Sequence, residues 1–227
     1  ALAELGKGGG NGEKLHRALL EYRAALPGNA SWLRPFWDDM YMSWREMLPV
    51  NMNYILRLDS ERWGGKAALP RLLRSLSALF RQAGSGLLTP EATKSGCLSM
   101  DQLLSCAYTR IPGRHGDFLR MVPMSGPHNI AVSCRGRWFI LQLADSSGRM
   151  LPESDLATAL EDIRKQAAAL PPAPSVSAFT SADRDSACAA RNELQRNELN
   201  RHGLSAVENS LFALCLDDGH SSDEDCI

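Results

Sequence analysis

From Ser31 to Leu58 the chain reads SWLRPFWDDMYMSWREMLPVNMNYILRL, and this passage restricts the fold more than any other. Trp32, Phe36, Trp37, Tyr41 and Trp44 recur at spacings of one, three or four, so a helix gathers most of these rings on one flank. Pro49 cannot continue that helix. Beyond it, Val50, Met52, Tyr54, Leu56 and Leu58 alternate with Asn51, Asn53, Ile55 and Arg57 in a largely period-two run, which reads as a strand. An aromatic helix feeding a strand sets the class: α/β, a mixed sheet covered by helices.

A chain of 227 residues can bury one substantial core, as one large domain or two small ones. The net charge of -1 offers no basic field for a polyphosphate backbone, so nucleic acid is excluded as a partner class. No apolar run approaches the roughly 18 residues that a membrane-spanning helix needs. Cys97, Cys106, Cys134, Cys188, Cys215 and Cys226 form no C-x-x-C pair and sit mostly in apolar runs. Cys97, Cys106, Cys134, Cys188 and Cys215 are expected to be unpaired thiols of a reducing compartment. Asn29-Ala30-Ser31 fits the glycosylation pattern, but nothing else indicates a secretory route.

Residues 1–12 are glycine-rich and polar, a flexible lead. Gly12-Glu13-Lys14-Leu15 lacks the Gly-Lys-Ser/Thr ending of a phosphate loop. Residues 13–218 read as the folded part. Helical spacing predicts helices over Glu13–Leu26, Lys66–Ala83, Leu98–Tyr108 and Glu153–Ala168. In the second of these, Leu69, Leu72, Leu73, Leu76, Leu79 and Phe80 form the apolar face, and Gly84-Ser85-Gly86 the C-cap. Arg110-Ile111-Pro112-Gly113 reads as the turn that halts the third. Asn129–Cys134 and Arg137–Ala144 are strands joined through Arg135-Gly136, the second apolar on both faces. Pro171 to Pro174 is a linker and Ser175–Thr180 a brief strand. Thr180-Ser181-Ala182-Asp183 has the form of a capping box for a helix running to about Arg196. Residues 219–227 are an acidic tail directly after an apolar strand-like run, and the chain is read as a piece of a longer protein.

Four blocks in this order resemble the carnitine/choline O-acyltransferase family, in its N-terminal part. The first is Trp37-Asp38-Asp39-Met40-Tyr41 followed by Leu48-Pro49-Val50-Asn51, whose wording looks most like the mitochondrial carnitine palmitoyltransferase II branch. The second is Leu98-Ser99-Met100-Asp101-Gln102 with Tyr108-Thr109-Arg110-Ile111-Pro112. The third is Phe179-Thr180-Ser181-Ala182-Asp183-Arg184-Asp185 with Arg191 and Leu194, where Ala187 replaces a family tryptophan. The fourth runs from Val207-Glu208-Asn209-Ser210 to Leu216-Asp217-Asp218. Between Glu91 and Met100 the chain is shorter than the palmitoyltransferase II branch, so the membrane-contact role of that branch's insert is not carried over. Peripheral membrane contact stays open.

The resemblance implies a coenzyme-A-dependent, chloramphenicol-acetyltransferase-like fold, and transfer of an acyl group between coenzyme A and carnitine, of medium or long chain. Acyl-CoA is then a co-substrate, with no bound cofactor or metal. Family members use one histidine as general base, in an E-H-x-x-x-D/E-G motif. His16, His115, His128 and His202 have Leu20, Leu119, Val132 and Ala206 four residues on, and His220, although followed by Glu224, has Gly219 before it and Asp225 after. No catalytic residue is therefore assigned, and the chain alone is expected to be inactive. The mixed set Asp217, Asp218, His220, Asp223 and Cys226 has no recognised metal spacing. Trp37 and Tyr41 match the family positions facing the carnitine side of the tunnel, and are the substrate-binding candidates. The competing reading is a truncated, non-catalytic relative that binds or supports. Resemblance points to the mitochondrion, with the peroxisome as alternative.

Overall fold

A computed structural model describes residues 10–27, 31–47, 68–94, 96–98, 107–124, 128–171, 179 and 181–216. The chain divides into two compact units, Ala1–Trp44 and Arg45–Ile227. The expected strand over 50–58 lies outside the described residues, as do positions 99–106 of the expected Leu98–Tyr108 helix, the acidic tail and all but Phe179 of the brief strand.

Among the described residues, the first unit holds two helices, α1 (Asn11–Ala25) and α2 (Arg34–Met42). Helix α1 starts two residues ahead of the expected Glu13. Glu13 in its first turn and Arg23 in its last complement the helix dipole. Pro35 lies in the first turn of α2, where a missing N–H is tolerated, and the Arg34 Nε bonds both carboxylate oxygens of Asp38 at 3.0 and 2.8 Å. Tyr22 of α1 meets Phe36 of α2 edge-on, with centroids 5.5 Å apart.

Among the described residues, the first element of the second unit is α3 (Ala68–Gly84). Pro70 again lies in the first turn. At the far end, Gly86 N–H bonds Ala83 O and Leu87 N–H bonds Gln82 O, the reciprocal pair of a Schellman cap, with Gly86 at φ 67°. The expected glycine-bearing cap is therefore present, with Gly86 as its left-handed residue. Leu73 is buried and Leu69 and Phe80 pack on the core, whereas Leu79, assigned to the apolar face from spacing, is 39% exposed.

Among the described residues, three small sheets follow. Strands β1 (Ala92–Thr93) and β2 (Gly96–Cys97) form a minimal hairpin. Strands β3 (Tyr108–Ile111) and β4 (Phe118–Met121) pair antiparallel, from Tyr108 opposite Met121 to Ile111 opposite Phe118. This corrects two expectations: Tyr108 begins a strand instead of ending a helix, and Arg110-Ile111 lie inside it instead of turning. A β-branched and aromatic run of Tyr, Thr and Ile prefers the pleated ladder once a partner strand is present.

The third sheet is mixed, in the order β6-β5-β7. Strand β5 (Asn129–Cys134) pairs antiparallel with β6 (Arg137–Gln142) and parallel with β7 (Ala213–Leu216). Arg135 and Gly136 both adopt positive φ, at 50° and 77°, the two-residue turn that matches strand twist. Burial on both faces belongs to β5, where Ile130, Ala131 and Val132 are all 1% exposed or less. Among the described residues, strand β6 is at an edge. Its Leu141 faces the core, but Ile140 is 40% exposed, so the expectation of a doubly covered strand is corrected.

Helix α4 (Glu153–Ala169) buries Leu156, Leu160, Ile163 and Ala167 against α3, β5 and β6. Helices α5 (Arg184–Leu194) and α6 (Glu198–Glu208) lead into β7. Asp183 is the N-cap of α5, accepting from Asp185 N and Ser186 N at 3.1 and 2.9 Å. It replaces the Thr180–Asp183 box inferred from spacing, because a carboxylate directly before the first turn reaches two orphan donors at once.

Candidate functional site

Helix α2 brings the two sequence-derived candidates together. Four-residue spacing sets the Trp37 and Tyr41 rings 5.2 Å apart with a 45° tilt, and the chain turns so that Trp44 lies 6.3 Å beyond Tyr41. Tyr41 thus sits between two indoles and is half-buried, while Trp37 is 53% exposed. No residue of α2 is fully buried. Trp44, expected in the helix, follows it: Ser43 N–H bonds Asp39 O and the Ser43 hydroxyl bonds Met40 O, which close the last turn. The result is a row of three rings with one phenol in its middle, an apolar surface of aromatic rings.

Sequence reading overlooked a second arrangement, inside the Arg45–Ile227 unit. Asp117 stands at the end of the loop between β3 and β4, with a fully buried side chain. Its Oδ2 accepts from Arg110 Nε at 2.5 Å and Arg184 Nε at 2.7 Å, and its Oδ1 accepts from Arg45 Nη1 at 3.2 Å. Arg45 also donates to the exposed Asp185 at 2.8 Å and to Gly113 O at 2.8 Å, and its own carbonyl accepts from Arg184 N. The hydrogen bond to Asp185 is the main cause that holds the Arg45 guanidinium above its ordinary pKa, against the opposing effect of burial. Gly113 is required by a close approach, since a Cβ there would lie 2.2 Å from Gly116 O. In the sequence Arg110 belongs to one block and Arg184 and Asp185 to another. A lone Asp seven residues after Arg110 carries no periodic signal, and only folding reveals that it is their meeting point.

Glu208 repeats the theme at the other end of the hairpin. Arg191 Nε and Nη2 bond its two carboxylate oxygens at 2.7 and 2.9 Å, and Arg120 Nη1 adds a third bond at 2.6 Å. Thr109 Oγ1 donates to the Glu208 carbonyl. Arg184 and Arg191 lie two turns apart on α5, so one helix face ties both ends of the β3–β4 hairpin.

The histidines divide sharply. His16, His115 and His202 are exposed, and His220 lies outside the described residues. His128 is 3% exposed, between Ser77 Oγ at 2.8 Å on Nδ1 and Met124 O at 2.7 Å on Nε2. A carbonyl can only accept, so Nε2 carries the proton and Nδ1 accepts from the Ser77 hydroxyl. Burial, and then the charge of Arg81, push the His128 pKa below its ordinary 6.5. The unfolded chain therefore binds the extra proton first: stability is complete above about 6.5 and falls as pH drops from there toward the folded-state pKa. Urea midpoints at pH 7.5 and 5.5 are expected to show this loss, and His128→Gln to reduce it. Equal pH dependence in both proteins would contradict the assignment. Among the described residues, no group of three or more His, Cys, Asp or Glu is placed to hold a metal ion.

Residues 1–226 match the profile of the "Choline/Carnitine o-acyltransferase" family. The chain belongs to that family. It is 30% identical over 95% of its length to choline O-acetyltransferase of Danio rerio, and covers 35% of that protein. It is 28% identical to peroxisomal carnitine O-octanoyltransferase of Bos taurus, over 95% of this chain and 37% of that one. It is 25% identical to mitochondrial carnitine O-palmitoyltransferase 2 of Xenopus tropicalis, over 92% and 36% respectively. The chain thus spans about a third of the length of these relatives, which come from both the choline and the carnitine branches.

Proposed function

We propose that this chain forms part of a carnitine O-acyltransferase that moves a medium or long acyl group between coenzyme A and carnitine, with Trp37 and Tyr41 on the acceptor side. The observation that carries the reading is the row Trp37, Tyr41, Trp44, in which a half-buried phenol is held between two rings. A phenolic O–H pairs best with an anionic oxygen, and carnitine has a carboxylate that choline lacks. The small mixed sheet is proposed as one part of a larger chloramphenicol-acetyltransferase-like sheet. The general base is proposed to come from the part of the family's length that this chain does not span, which leaves the chain alone without turnover. A mitochondrial location fits the palmitoyltransferase relative and a peroxisomal one the octanoyltransferase relative; the mitochondrial is proposed.

Tyr41→Phe tests the site in the acyl-transferring protein that carries this segment. It keeps the ring and removes the O–H, so the KM for carnitine should rise about tenfold, the size expected for one lost hydrogen bond to a charged group. The KM for acyl-CoA and the Tm should stay unchanged. An unchanged carnitine KM with a lowered Tm would return Tyr41 to a packing role.

A further inference from the structure

We infer that the apolar face of α2, formed by Leu33, Phe36, Trp37 and Met40, is a docking surface for the part of the acyl-transferring protein that lies outside this chain. The inference rests on the proposal that the chain forms part of such a protein, and not on the choice of acceptor. These four residues recur at three- and four-residue spacing, so they share one side of the helix, and each is 51 to 53% exposed. A contiguous exposed apolar stripe marks an interaction site, whereas a single exposed side chain does not.

The helix also lacks what would hold it together by itself. A helix of nine residues is marginal alone in water, where roughly 12–15 are needed, and helical stability comes mostly from packing of an amphipathic face. Among the described residues neither α1 nor α2 has a buried side chain, and the ring contact seen between them is that of Tyr22 with Phe36. The relatives point to what covers the stripe. This chain spans 35 to 37% of their lengths, so most of the family's length lies outside it. A tethered segment meets α2 at an effective concentration on the order of millimolar, far above that of a second copy. A lipid surface is disfavoured, because an interfacial helix carries Lys and Arg on its polar face. Helix α2 has Asp38 and Asp39 there instead, and its one arginine, Arg34, is paired with Asp38.

Photo-cross-linking in the acyl-transferring protein reads the occupant directly. A p-benzoylphenylalanine placed at position 36 keeps an aromatic ring and, under light, bonds to whatever touches it. Mass spectrometry is expected to join α2 to sequence outside residues 1–227. Cross-links to residues 45–227, to a second copy, seen as mixed-isotope pairs, to lipid, or to nothing would each overturn the inference. Met40→Glu gives a second measurement. It places a charge in the docked face and should speed amide hydrogen exchange across Arg34–Met42 at least about tenfold, because a buried charge without a partner favours the open state. Unchanged exchange, or equal acceleration by Asp39→Asn off that face, would contradict docking. Acyl transfer to carnitine, followed on the same preparations, separates the two claims. Cross-links to the outside sequence in a protein that does not use carnitine leave docking intact while the acceptor assignment fails, and activity with carnitine without those cross-links does the reverse.

Discussion

Asp117→Asn is expected to cost about 3–5 kcal/mol of folding free energy, the range found when one partner of a buried ion pair is removed and the other is left without its charge. Three guanidiniums depend on this carboxylate, from the segment after α2, from β3 and from the start of α5. Asparagine keeps the shape but replaces one accepting oxygen with an amide that donates toward Arg side chains, which also donate. The loss should appear in urea titration as a lower midpoint, and in heat as a fall in Tm on the order of 10 °C for a domain of this size. A change below about 1 kcal/mol, the scale of exposed ion pairs, would show that water replaces the carboxylate and that the cluster is less closed than its geometry indicates.

Leu156→Ala is the second large effect. Leu156 is completely buried on α4, where it packs within the core built from β5, β6 and α3. Truncation removes its transfer free energy and leaves a cavity, together about 2–5 kcal/mol. Leu79→Ala on α3 is the control. Leu79 is 39% exposed, so the same truncation should cost well under 1 kcal/mol, as an exposed site away from special contacts does. Equal losses at the two positions would mean that α3 buries the face assigned from spacing and not the one observed.

That contrast shows where sequence is a sufficient guide. Helix α4 was legible down to its four buried residues, because Leu156, Leu160, Ile163 and Ala167 keep one period and one face. The β5–β6 hairpin was legible from Arg135-Gly136 between two apolar runs, since the turn chemistry is local. The apolar face of α3 was only partly legible, for a stripe of leucines is wider than the surface that covers it, and which edge stays wet depends on the neighbours. Strand β3 was misread because its pairing partner, β4, is supplied by another segment. For the site, Trp37 and Tyr41 were proposed from family wording, which is local. Asp117 was not, since its meaning lies in arginines 72, 7 and 67 residues away in sequence. Charge clusters of this kind have no period, and the four blocks announced the participants without announcing the contact.

Carnitine is proposed as the acceptor, with Tyr41 facing it. Coenzyme A release from an acyl-CoA, followed in the acyl-transferring protein with carnitine, with choline and with neither, tests this most directly. Thiol release should depend on carnitine, with acylcarnitine formed in equal amount, and choline should be a much poorer acceptor. Release that is faster with choline, or that is the same with no acceptor present, would contradict it.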